Sequence, residues 1–191
     1  MIPDGLLRAL RKEDVRSISR RYFISNGFDG TLTAIGIAMG SFLSGVPSGL
    51  TVIKIGAGAA VGLGTSGVWS VWEIERAEKL AERKRIERAM LTDLGETQIE
   101  RQQRQARMVN AVMSGIGPIL AIAVTIAPFA LEGLLVTMRQ ATVLSVAAGM
   151  VVLFLFGAYM GNISDQRWTV AGVRMGLAGL VVALINIVLP G

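Results

Sequence analysis

Five stretches of this chain stay apolar for about the length of a bilayer crossing: residues 24–43, 50–72, 108–131, 141–160 and 170–189. A helix needs roughly 20 mainly apolar residues to traverse about 30 Å of hydrocarbon. Five such runs exceed what a soluble core of this length requires. Composition agrees, because 52% of the 191 residues are hydrophobic and only 17% are charged, whereas a soluble domain carries about 25% charged residues. The expected fold is all-α, a polytopic membrane protein with five transmembrane helices in contact with the lipid bilayer.

The links between the runs are short and polar. Ser44-Gly45-Val46-Pro47-Ser48-Gly49 reads as a turn, and residues 132–140 and 161–168 join the last three spans. Pro118 and Pro128 are expected to kink the third span or to end it. Residues 73–107 differ, being dense in charge, and they read as a cytoplasmic helical hairpin that breaks near Gly95. The chain thus divides into a basic, amphipathic cytoplasmic segment over residues 1–22 and spans one and two over 23–72. The charged hairpin follows over 73–107, and spans three to five occupy 108–191. The first 22 residues lack the apolar stretch and small-residue cleavage site of a secretory signal.

Orientation follows from Lys and Arg, which concentrate in cytoplasmic loops. Of the 19 such residues, all but Lys54 and Arg139 fall in the first segment, the charged hairpin, or the link and start of the last span. The expected arrangement in the cell membrane is an amino terminus inside and a carboxyl terminus outside. The net charge of +5 sits beside apolar spans, where it suits the anionic inner leaflet. Nucleic acid is not an expected partner, since no groove-reading motif is present.

The chain contains no Cys and no His, so thiolate or imidazole metal sites and Ser/His or Cys/His catalysis are excluded. With no phosphate loop or nucleophile elbow either, an enzyme and a bound cofactor are not expected. The remaining chemistry is carboxylate chemistry. Asp29 falls inside the first span, where an ionisable group costs about 2.5–3.5 kcal/mol on insertion scales and usually faces a pathway or a partner. The alternative is a capping role, with Asn26 or Asp29 opening the helix. Met39 offers a soft sulfur to a pore, or else simply packs. Lys54 is expected to snorkel toward the outer surface. In the charged segment, Glu75 has the i,i+4 spacing of a helix-face pair with Lys79. The like-charged pairs Glu78 with Glu82 and Glu96 with Glu100 instead suggest ligands for a divalent metal ion. Gly36/Gly40 and Gly58/Gly62 have the small-xxx-small spacing that lets helices approach within or between subunits.

Asn26-Gly27-Phe28-Asp29-Gly30 opening span one, the Gly/Ala-rich span two and the charged helices together form a pattern. The run from Ala106 to Pro118, and Leu144 to Gly161 followed by a last span containing Trp, Arg and Gly, extend it. Over residues 20–190 the chain resembles the vacuolar iron transporter family, the CCC1-type transporters. The resemblance implies a five-helix subunit forming a homodimer around a pathway between the two first helices. It also implies that Asp29 lines that route and that Fe2+ or Mn2+ moves in exchange for protons. One departure stands out. Where the family's second span carries carboxylates and a Met, residues 60–69 read Ala-Val-Gly-Leu-Gly-Thr-Ser-Gly-Val-Trp, with neither. The function expected is transport of a divalent cation. The alternative is a non-transporting scaffold of the same fold, binding lipid headgroups or a protein through Arg83, Lys84, Arg85 and Arg88.

Overall fold

The computed structural model describes residues 13–91 and 98–188, with side chains for 15–91 and 104–188. The described chain forms five α-helices: α1 (Glu13–Leu43), α2 (Gly49–Met90), α3 (Gln98–Ile126), α4 (Met138–Ile163) and α5 (Trp168–Val188). Four of the five expected spans are helices long and apolar enough to cross a membrane, within α2, residues 104–131, α4 and α5. The first run lies in α1, which is long enough at 31 residues but carries Asn26, Asp29 and several hydroxyl side chains.

The ends of the helices follow local chemistry. Ser48 caps α2 by accepting from the Leu50 amide, and Glu132 Oε2 accepts from the Gly49 amide at 3.0 Å. Thr137 and Gln140 make a reciprocal capping box at the start of α4, satisfying donors that a helix start leaves free. Pro118 is accommodated inside α3. Pro128 stands at the start of the 3-10 turn Ala127–Leu131 that ends the third span. At the change from apolar to charged sequence near residue 72, α2 continues unbroken for 42 residues. The expected hairpin turn falls in residues 92–97, outside the described residues.

Helix α1 is the hub, packing against α3 most extensively and also against α2, α4 and α5. Lipid supplies little hydrophobic drive for helix association, so close approach through small residues has to supply it. At Gly30 an added Cβ would lie 2.7 Å from Pro118 Cα, and at Gly67 one would lie 2.9 Å from the Ser114 carbonyl oxygen. These crossings differ from the glycine pairs that the spacing singled out. Gly58 and Gly62 have nothing near them, and the nearest neighbour to Gly36 and Gly40 is Asn186 of α5, at 3.9 Å.

This distribution gives an ordered expectation for stability in detergent. Gly30→Ala should cost about 1–3 kcal/mol through overpacking against the Pro118 backbone. Gly58→Ala should leave the unfolding temperature close to that of the parent. Tryptophan-fluorescence melts of the two variants check the order, and equal melts would remove the α1–α3 crossing from its place in the fold.

Candidate functional site

Asp29 lies in the middle of α1, four turns from where that helix begins, so the capping role does not apply. Its neighbours on one side of α1 are buried: Gly27, Gly30, Thr31, Ala34, Ile35 and Ala38 face the other helices. Ser25 and Asp29 are exposed. Asp29 opens into a cleft of 160 Å³ together with Asn26, Leu63, Ser66, Gly67, Ser70 and Pro118. The cleft thus has walls from α1, α2 and α3. Its polar lining is one carboxylate, one carboxamide and two hydroxyls, an oxygen-rich set suited to a hard cation. At about 30 Å³ per water, it has room for a partly hydrated ion. The α2 residues that line it fall in and just beyond the stretch lacking carboxylates, where Ser66 and Ser70 supply hydroxyls instead.

The cleft is built by neighbours that hold one another. Asn26 Nδ2 donates to Ser114 Oγ, and Ser114 Oγ donates to the Gly67 carbonyl at 2.9 Å, tying α1, α3 and α2 together. Gly67 must be glycine for that approach, and Pro118 forms the floor against Gly30.

A second polar cluster lies toward the end of the bundle that carries most of the basic residues. Glu75 is buried, 8% exposed. Its Oε1 accepts from Asn110 Nδ2 at 3.2 Å and from the Tyr22 hydroxyl at 3.4 Å. Ser19 Oγ in turn donates to Asn110 Oδ1 at 2.7 Å. Burial, and then the Glu75 carboxylate, raise the pKa of Tyr22, so its phenol stays protonated and able to donate. The surface pair expected between Glu75 and Lys79 does not form. Lys79 binds Glu82 at 2.7 Å instead, because Glu75 turns inward. A single sequence cannot distinguish these two faces of α2 while every residue from 73 to 88 lies within a turn of a charge. The one available signal was the pairing of polar residues Ser19, Tyr22, Asn26 and Asp29 at spacings of three, four and three along α1.

The remaining expected residues are dispersed. Met39 packs against the cluster of Ile35, Leu153 and Ala183, away from the residues lining the Asp29 cleft. Glu78 is exposed. Glu82 is held by Lys79, whose hydrogen bond first and charge second lower the carboxyl pKa. Glu96 lies outside the described residues, and Glu100 lies in α3 with its side chain outside them. Among the described residues no three of His, Cys, Asp and Glu gather as a metal-holding group. Lys54 is exposed on α2. Trp72 of α2 receives the Arg107 guanidinium of α3 at 4.8 Å from its ring centre.

Comparison with known proteins gives a consistent result. An uncharacterized protein of Methanocaldococcus jannaschii, MJ0645, is 25% identical over 168 residues, covering 86% of this chain and 85% of its own length. No solved structure matches the chain. The model of the VIT family matches residues 70–189, from the end of the cleft wall through α5, a span that begins after α1. That family comprises membrane transporters of metal ions rather than enzymes. With more than half of its length matched and several helices fit to cross a membrane, this multi-pass membrane protein belongs to the VIT family.

Proposed function

We propose that the protein moves a divalent cation such as Fe2+ or Mn2+ across the membrane in exchange for protons, along a route lined by Asp29 at the axis of a homodimer. The observation that carries this reading is the placement of Asp29, exposed on α1 and opening into an oxygen-lined cleft between three helices. A carboxylate left facing hydrocarbon is strongly disfavoured, so a second copy covering the same stripe of α1 accounts for its exposure. Helix α1 then forms the fifth span, polar for its length because protein rather than lipid surrounds it. The basic end of the bundle faces the cytoplasm, following the distribution of Lys and Arg, and the carboxyl terminus lies outside.

The scaffold alternative rests on the basic residues 83–88. Arg83 is already engaged by Glu87 at 2.7 Å, and no feature of the helix favours that reading over transport.

Purified protein in sealed vesicles should take up Fe2+ or Mn2+ when the vesicle interior is the more acidic side, and Asp29→Asn should abolish uptake. Uptake by the variant equal to that of the parent would remove Asp29 from the mechanism. Assembly is checked separately in the cysteine-free chain. A Cys at Ser25, on the exposed stripe, should crosslink two copies in the membrane, whereas one at Ala34, buried within its own subunit, should not. Failure at Ser25, with a monomer in mild detergent, would overturn the dimer.

A further inference from the structure

The cluster around Glu75 is complete in hydrogen bonds but not in charge. Glu75 is 8% exposed, Asn110 and Ser19 are each 2% exposed, and the described partners of the carboxylate are all neutral. Among the described residues no cation forms an ion pair with Glu75. Arg21 of α1 stacks on the Tyr22 ring at 5.5 Å, Arg107 of α3 stacks on Trp72 at 4.8 Å with its buried Nε left without a hydrogen-bond partner, and Lys79 of α2 binds Glu82. Glu78, also on α2, adds further negative charge near Tyr22. A buried carboxylate without a counter-charge is costly, and buried charges in proteins are ordinarily paired or bound to a metal ion.

The geometry points to Glu75 as a second binding station for a divalent cation, in series with Asp29, with Asn110 and Tyr22 supplying neutral oxygens and Ser19 holding the Asn110 carboxamide in place. The donor set fits. It comprises one carboxylate of α2, one carboxamide of α3 and one phenol hydroxyl of α1, all hard oxygen ligands. In the empty state these groups satisfy one another. The two ends of an Asn side chain are an acceptor and a donor of similar shape. A half-turn of the Asn110 carboxamide therefore presents its oxygen beside Glu75 and its NH2 to the Ser19 hydroxyl, which can accept. A single carboxylate makes the site weak, since affinity rises with the number of charged ligands. A weak site suits an ion that must leave again.

The station is also aligned with the first. Ser19, Tyr22, Asn26 and Asp29 share one face of α1. The ten residues from Ser19 to Asp29 rise about 15 Å at 1.5 Å each. Between the two stations, Asn26 lines the Asp29 cleft and bonds Ser114, so polar side chains continue from one to the other. In the proposed orientation, an ion arriving from the cytoplasm meets Glu75 before Asp29.

This inference deepens the transport reading, and its test separates the two. Mn2+ binding to the purified chain is followed by electron paramagnetic resonance, alongside Mn2+ uptake into vesicles. Glu75→Gln keeps the hydrogen-bond acceptor and the shape but removes the charge. It should lose one class of bound Mn2+ and, in uptake, raise KM about tenfold with kcat little changed. Asn110→Asp adds a second carboxylate to the same site and should tighten Mn2+ binding about tenfold, a gain that a purely structural cluster would not give. Unchanged Mn2+ binding in Glu75→Gln would overturn the station. If that variant fails to fold, Asn110→Asp decides, and binding no tighter than the parent's would overturn it. Absence of uptake by the parent would count against transport, while the binding comparison would still judge the site.

Discussion

Everything about the site depends on how closely α1 can approach α3. At Gly30 the α1 backbone lies against Pro118, and one turn earlier Gly27 and Gly117 bring the same two helices together near Phe23. In water such a contact would add to a hydrophobic drive already present. In lipid it must supply much of the association itself, through van der Waals contact and hydrogen bonds that would otherwise go unmade. The Ser19–Asn110 and Asn26–Ser114 bonds lie along the same seam. Packing and polarity therefore reinforce each other. The helix with the most polar groups can sit in the bundle because its neighbour comes close enough to satisfy them.

The cleft is a by-product of that arrangement. Ser114 turns its hydroxyl toward the Gly67 carbonyl, which draws α2 onto α3 at one level. Just beyond, Ser66 and Ser70 stand off from Asp29 and leave space. Helix α2 packs mainly on α3 and only lightly on α1, so the α1–α2 side stays open where the carboxylate lies. A site made this way needs no imidazole or thiolate. Its selectivity rests on oxygen ligands and on how much water the ion must shed.

Much of this was legible in the sequence, for identifiable reasons. The apolar runs over 50–72, 108–131, 141–160 and 170–189 fixed four helices, since length and apolarity are what the bilayer selects. Pro128 marked the end of the third span because a ring without an amide proton cannot continue the ladder. Asp29 stood out because a carboxylate within an apolar run is expensive. Glu75 did not stand out, since in a stretch where acids and bases alternate, periodicity does not say which carboxylate turns inward. Its burial depends on Asn110, 35 residues away, and on Tyr22. The glycine pairs at 36/40 and 58/62 make no close crossing within the subunit, because spacing shows which residues share a face but not which face meets another helix of the same chain. Gly67 makes its close crossing with no such spacing to announce it, and Gly30 shares the spacing only with Ala34 and Ala38, both buried.

The length of α2 has a mechanical consequence. As one uninterrupted helix of 42 residues, it extends about 63 Å at 1.5 Å per residue, and its wall of the cleft ends near its midpoint. A stiff rod tilts as a whole. Any force applied to the charged half, from a membrane surface, a partner or a change in its own charge state, is delivered as a displacement at Ser66 and Ser70. Because α2 holds α1 only lightly, that displacement is taken up in the gap facing Asp29. The charged arm and the width of the cleft are therefore not independent variables.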